Sequence, residues 1–513
     1  LLQTILGHWY WQYFRANRYR FLQRTATAQP LGDDFTTWDL PRLYREIDLH
    51  FTNALADGRL KTIPTTDFAD LLTKPTLPEK YRPTLYDFVV HDALRFYSAG
   101  EQAGSKAQDA FELSADSPIF ASTADFLAWK VQSEDDESPT LKAIKIYQDL
   151  LKFHQEDENP DAFVDADLLR LRFGYNKAFG EEKNARYKAA LKRFTTRWAD
   201  HEMSARAMYQ WAQVLHGEGE WVEAHKLAKR GVAVFPNSVG GKECKNLLTQ
   251  IEAKSSSVST ERVWNDPLPN VELRYRNLTK AYFRVVSFDW VKRLQETQRH
   301  PEYVDHRSKA EWLRQKPIKE WAVDLPPTDD FKQRVEKIAA PKGLKPGSYF
   351  LFASHHPKFV DKENVVSYSS FWVSDLSLVM RTRNGSGAIE GFVLNAVSGE
   401  PVQGAAVRSW KRERNNRKVE LKPTRTDANG LFRFKSNRTS LTILASHQGQ
   451  SLGTANDYYV HEGYNPRRPF EQSVFFTDRS LYRPGQTIRY KGISYRVDQE
   501  RDNYKVIPGR ELT

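Results

Sequence analysis

From Leu1 to about Ile251, apolar residues recur every three or four positions, the spacing that lines one face of a helix. Two such stripes, Leu1, Ile5, Trp9, Tyr13 and Leu2, Leu6, Tyr10, Phe14, predict a helix over Leu1 to Leu22. Its aromatics stand beside Arg18 and Arg20, and we read them as a face packed on a neighbouring helix rather than a nucleic-acid or membrane surface. Leu141 to Phe153 and Asn184 to Trp198 show the same period. Between Ser204 and Pro236, Ala212, Ala224, Gly231 and Pro236 stand at spacings of twelve, seven and five. Small residues there let two antiparallel helices touch, and the proline ends the second. Gly217 and Gly219 fall between the two helices.

The polar run Lys254 to Thr260 marks a boundary, after which the period switches from helical to two. Val271 to Tyr275 alternates, Asn277 marks a turn, and Tyr282 to Phe288 is a second strand. Pro346-Gly347 turns into the aromatic strand ending at Ala353, and Val365 to Ser370 and Phe371 to Leu378 complete a β-sandwich. The intervening Asp289 to Lys337 is more polar and partly helical. A second β-unit opens with a strand from Gly391, a turn at Ser398-Gly399 and a strand ending at Val407. Its turn Thr426 to Gly430 leads into the alternating strand Leu431 to Phe434. A third unit begins near Phe470. In it, Arg483-Pro484-Gly485-Gln486 predicts a tight turn, since Pro484 presets φ and Gly485 accepts the positive φ that follows. Thr487, Ile488, Arg489 and Tyr490 then predict a strand.

The pattern therefore predicts a multidomain chain, an α-helical solenoid followed by β-sandwiches. Its parts are a helical region over 1–130, helical repeats over 131–255, sandwiches over 261–385 and 386–469, and the start of a further domain over 470–513. A length of 513 residues agrees with several domains of roughly 100–200 residues each, and an apolar fraction of 40% supports folded cores. The start at Leu1 and the stop at Thr513, just after a strand-like segment, lead us to expect an internal piece of a longer polypeptide. No apolar run approaches the roughly 20 residues of a membrane helix, and the mean hydropathy is -0.66. A single cysteine excludes an internal disulfide. A net charge of +11 favours anionic partners, yet no nucleic-acid-binding signature is present. Much of the excess lies in the loop 408–425, with Arg408, Lys411, Arg412, Arg414, Arg417, Lys418, Lys422 and Arg425. We read this loop as a solvated basic strand pair, with contact to an acidic partner or lipid headgroups as the functional alternative.

Two resemblances sharpen this picture. The segment Ser204 to Pro236 resembles a tetratricopeptide repeat, although Met208 and Trp211 replace the more usual residues of its first helix. The ordered string Asp478-Arg479-Ser480-Leu481-Tyr482-Arg483-Pro484-Gly485-Gln486, followed by Lys491-Gly492, resembles the signature of macroglobulin domains in the α2-macroglobulin family. Leu344-Lys345-Pro346-Gly347-Ser348-Tyr349, leading on to Trp372 to Asp375, is similar to a late macroglobulin strand. The second β-unit resembles small macroglobulin or carboxypeptidase-regulatory-like sandwiches. The family resemblance implies a bacterial, periplasmic or outer-membrane-associated endopeptidase inhibitor. In that family, cleavage of a bait segment triggers a rearrangement that traps the protease. This stretch would supply the frame and a helical docking platform. The competing expectation is a non-inhibitory cell-envelope scaffold that uses the repeats to bind proteins.

Candidate chemistry is sparse. Many relatives carry a thioester from Cys-x-Glu-Gln, whereas Cys244 is followed by Lys245, Asn246 and Leu247, so it reads as a cysteine on a repeat helix. His355-His356 and the set His300, Asp305, His306 lack the three or four convergent ligands a metal needs. Asp427, Asn429 and Gly430 match only part of a calcium loop, because Arg425 and Ser436 occupy its first and last ligand positions. Gly385 and Gly387 lie between strands, and Glu134 to Glu137 form a solvated acidic loop. We expect no catalytic, cofactor or metal residues and no enzyme activity; the expected partners are proteins.

Overall fold

The computed structural model describes residues 1–22, 32–72, 77–99, 111–360, 364–382, 387–413, 415–461, 469–477, 487–498, 503–509 and 511. The expected turn within Asp478 to Gln486 and Gly385 of the glycine pair lie outside these residues. The chain divides into two units, Leu1–Ala253 with Asp329–Lys332, and Lys254–Thr328 with Gln333–Thr513.

The first unit is helical: α1 (Leu2–Ala16), α2 (Arg18–Leu22), α3 (Leu40–Leu55), α4 (Leu85–Ser98), α5 (Thr123–Ala128), α6 (Pro139–His154), α7 (Asp161–Lys177), α8 (Lys183–Arg197), α9 (Met203–Gly217), α10 (Trp221–Val234) and α11 (Val239–Glu252). Caps explain several starts. Thr84 and Asp87 form a reciprocal capping box at α4, and the side chains of Ser138 and Ser238 cap α6 and α11. The buried face of α1 is Thr4, Gly7, Trp11 and Phe14, which is neither of the two expected stripes. Gly7 decides the rotation. A Cβ there would lie 3.3 Å from His50 Cβ, so α3 passes close to α1 at that point, and Trp9 turns outward, 65% exposed.

The small-residue pairing of α9 with α10 is present: Ala212, Ala224 and Gly231 are all buried. Gly219 supplies the positive φ, +84°, of the turn between them. Cys244 of α11 packs onto Gly231, where a Cβ would come within 2.6 Å of its sulfur.

In the second unit, the serine-rich run expected as a boundary is itself a strand. Ser255–Ser259 pairs with Asn270–Arg276, which pairs in turn with Arg334–Ala339. A five-stranded sheet runs in the order Val263–Trp264, Ser367–Val373, Gly347–Ser354, Lys280–Phe288, Lys319–Asp324. The polar insertion thus holds α12 (Trp290–Thr297) and α13 (His306–Arg314) and also contributes strands to both sheets. The expected division between Ser370 and Phe371 falls instead at Ser374-Asp375, and Leu376–Thr382 pairs with Ala388–Asn395. The strand from Gly391 and the strand at Val407 are not a hairpin: Ala388–Asn395 and Ala406–Arg412 belong to different sheets.

The central strand of the five-stranded sheet, Gly347–Ser354, is buried on both faces, which is why it reads as a continuous apolar run. Successive side chains point to opposite faces. Leu351 and Ala353 enter a core with Val271, Leu273, Tyr275 and Phe283. Phe350 and Phe352 enter a second core with Ile389, Val407, Ile443 and Leu444. One sheet therefore serves two sandwiches. The strands Phe470–Thr477, Tyr490–Asp498 and Asn503–Val506 form a separate three-stranded sheet. The strand expected from Thr487 begins at Tyr490.

Candidate interaction surfaces

A densely bonded place in the β-rich unit is the joint made by the α12 insertion. Asp289 caps the helix by accepting from Lys292 N at 2.9 Å. This directs Trp290 into the second core, 5.7 Å from the ring of Trp410 and 6.3 Å from that of Trp372. Gln298, at φ +56°, ends the helix in the left-handed region. Arg293 then holds the returning loop by donating to the carbonyls of Pro301 at 2.7 Å and Tyr303 at 2.8 Å. On that loop, Glu302 accepts from Arg262 Nη2 at 2.6 Å, Ser370 Oγ at 2.9 Å and Trp372 Nε1 at 3.0 Å. Arg262 Nη2 also donates to Gly453 O at 2.6 Å, and His300 Nε2 donates to Thr454 O at 2.9 Å. One carboxylate and one guanidinium thereby tie both sandwiches together. The network is a set of structural ties within this unit. Sequence reasoning missed Glu302, because its partners lie 40 to 70 residues away and nothing local marks it.

The helical unit carries a cleft of about 470 Å³ whose lining includes Tyr81, Glu202, Met203, Ser238, Val239 and Lys242. Its polar wall is bonded to itself: Tyr81 Oη donates to Glu202 at 2.5 Å, and Lys80 lies 2.7 Å from Glu202 and 3.4 Å from Asp161. Burial works against the Glu202 charge, but its bonds from Lys80 and Tyr81 outweigh it and hold the carboxyl below its ordinary value. Deeper inside, Asp165 is fully buried, with Arg206 at 3.6 Å and Arg82 at 3.9 Å. Burial raises its pKa to about 6, against the pull of the two guanidiniums. His154 bridges Asp87 at 2.7 Å and Asp157 at 2.6 Å. Burial opposes its charge, yet these carboxylates raise its pKa. Such groups fix helices to one another in the interior.

The residues weighed from the sequence have structural duties. Cys244 is fully buried, burial pushes its thiol up to about 12, and its sulfur lies 3.5 Å from Ala205 O. The backbone N–H groups of His355 and His356 donate to Asn364 and Ser354 in one turn. Asp305 caps α13 from Ser308 N at 2.8 Å. Asp427 accepts from Asn429 N and Leu431 N, both at 2.9 Å, while Gly430 takes φ +72°, the arrangement of an Asx turn. In the acidic loop, Glu137 lies 3.6 Å from Lys142 and Asp136 3.9 Å from Lys145. Among the described residues no three His, Cys, Asp or Glu side chains are grouped to hold a metal ion. No helix of the described residues is long and apolar enough to cross a membrane.

The basic loop is partly neutralised by its own unit. Arg408 pairs with Glu420 at 2.7 Å, Lys411 with Glu413 at 3.5 Å, and Arg412 with Asp457 at 3.0 Å. Lys418 is buried, with its ammonium 2.6 Å from Asp457. Arg417, Lys422 and Arg425 stay exposed.

No family model and no curated protein sequence matches this chain. Among solved structures it is similar to α2-macroglobulin of Escherichia coli in a crystal structure spanning domains NIE-MG1, at 14% identity and a TM-score of 0.30, over 39% of this chain and 95% of that one. A structure of the same protein spanning domains MG0-NIE-MG1 aligns at 15% identity and a TM-score of 0.30, over 39% of this chain and 64% of that one. A tetra-tandem repeat in the extending region of a large adhesion protein aligns at 11% identity and a TM-score of 0.16, over 41% of this chain and 50% of that one.

Proposed function

We propose that this chain is the frame and docking platform of an α2-macroglobulin-like endopeptidase inhibitor, which acts by bait cleavage and conformational trapping. The observation that carries the reading is the ordered string Asp478 to Gln486 with Lys491-Gly492. Its setting supports the reading: the string connects Phe470–Thr477 to Tyr490–Asp498, which pair antiparallel from Thr477↔Tyr490 to Phe470↔Val497. The preceding β-sandwiches are read as macroglobulin-like units. The joint at Glu302 gives them the rigidity that a trapping molecule needs in the part that does not move.

In this reading the helices over 131–255 are a tetratricopeptide-like platform, and the protein works in the periplasm or at the outer membrane. Contact with an anionic surface through the loop 408–425 would fall to Arg417, Lys422 and Arg425, because the other described cations of the run face carboxylates.

The test incubates the full-length protein with a panel of endopeptidases, followed by native gel electrophoresis and mass spectrometry. A single early cleavage with a mobility shift and retained protease is the expected result. Scattered proteolysis or inert resistance without capture would overturn the reading in favour of a cell-envelope scaffold.

A further inference from the structure

We propose that a polar groove between α7, α8 and α9 binds a carboxylate-bearing extended peptide segment. The groove encloses about 150 Å³ and is lined by Arg172, Tyr175 and Asn176 of α7, Tyr187 of α8, and Gln210 and Gln213 of α9. Arg172 and Asn176 stand four apart on one helix and Gln210 and Gln213 three apart on another, so each pair shares a face.

The key group is Gln210, which is only 5% exposed. Its Oε1 accepts from Tyr187 Oη at 2.7 Å, and this bond fixes the plane of the carboxamide. Among the described residues no acceptor meets its Nε2, which opens onto the groove. With its plane fixed by Tyr187, this amide donor is held ready to donate to an acceptor that enters the groove. Gln213 complements it: its Nε2 donates to Tyr209 Oη at 2.6 Å, leaving its own oxygen as an acceptor at the groove. One amide donor beside one amide acceptor matches the C=O and N–H of an extended backbone.

The charge comes from Arg172. It makes no ion pair or hydrogen bond with any described residue. Glu243, the carboxylate that feels its field, faces Arg206 at 3.5 Å instead. A guanidinium presents a planar fork suited to a carboxylate. Tyr175 and Tyr187 stack at 4.4 Å with an interplanar angle of 14°, which fixes the aromatic side of the groove, and the Lys183 ammonium lies 5.3 Å over the Tyr175 ring. The small volume suits one acidic side chain or a chain terminus, and the net charge of +11 favours acidic partners in general. The inference stands independently of the inhibitor reading.

The test is fluorescence anisotropy on the whole chain at low ionic strength with three labelled hexapeptides. The first carries two glutamates and an amidated C-terminus, the second is neutral with a free C-terminus, and the third is neutral and amidated. One or both of the charged peptides should bind saturably, and the neutral amide should not. Which of them binds identifies the carboxylate as a side chain or a chain end. Arg172→Ala, at an exposed position, should keep the fold by circular dichroism and weaken binding roughly tenfold or more. Gln210→Leu should weaken the same peptide while leaving its salt dependence unchanged. The proposal is overturned if no peptide binds saturably, or if Arg172→Ala binds as the parent does.

Discussion

The indole of Trp290 lies so close over the backbone of Gly453 that a Cβ at Gly453 would stand 2.8 Å from Trp290 Cε2. A side chain of the insertion's helix thus packs directly on the backbone of a strand of the second sandwich. Gly453→Ala should cost about 1–3 kcal/mol, because the indole is held between Trp372 and Trp410 and has nowhere to move. Chemical denaturation would measure this; an unchanged midpoint would show that the joint is looser than its geometry implies.

Glu302 is the polar half of the same joint. Glu302→Ala leaves Arg262, Ser370 and Trp372 Nε1 without their acceptor. We expect a loss of about 2–4 kcal/mol. Glu302→Gln, which keeps the shape and one acceptor oxygen, should lose less. Equal losses for the two substitutions would place the effect in packing rather than charge.

Asp165 predicts a pH dependence whose sign is fixed by its environment. Its folded pKa, raised to about 6 mainly by burial, lies above the ordinary carboxylate value of 3.8. The folded state therefore binds the proton more tightly, and stability falls as pH rises between those two values, then levels off above about 6. Between about pH 5 and 8 the parent should lose roughly 1–1.5 kcal/mol relative to Asp165→Asn. Their absolute difference also contains the cost of leaving Arg82 and Arg206 without a carboxylate, so the slope with pH is the quantity to measure. Parallel pH profiles would contradict the assignment.

The thiol of Cys244 should be inert in the folded protein. It is fully buried against Gly231, and burial pushes it up to about 12, so thiolate is scarce at neutral pH. A chromogenic disulfide reagent should label it only on unfolding; rapid labelling of the native chain would refute the packing of α9 to α11.

Local pattern alone settled much of this protein. The period of 3.6 up to Ile251 and of two thereafter follows from which positions must be apolar, and helices end at Glu252 with strands beginning at Ser255. Ala212, Ala224 and Gly231 announced a close helix pair because only small side chains permit one. The string Asp478 to Gln486, which resembles a macroglobulin signature, is legible because it is contiguous.

Tertiary structure alone decided the rest. The rotation of α1 depended on where α3 could approach Gly7, not on which stripe was more apolar. The serines of Ser255–Ser259 became a strand because a partner, Asn270–Arg276, was available to pair with them. Gly347–Ser354 could be read as a buried aromatic strand, but not as one whose alternate residues feed two different cores. Glu302 and Gln210 carried no sequence signal at all. Their roles come from partners brought together across 23 to 70 residues of chain, and hydrogen bonds at such separations leave no periodicity to read.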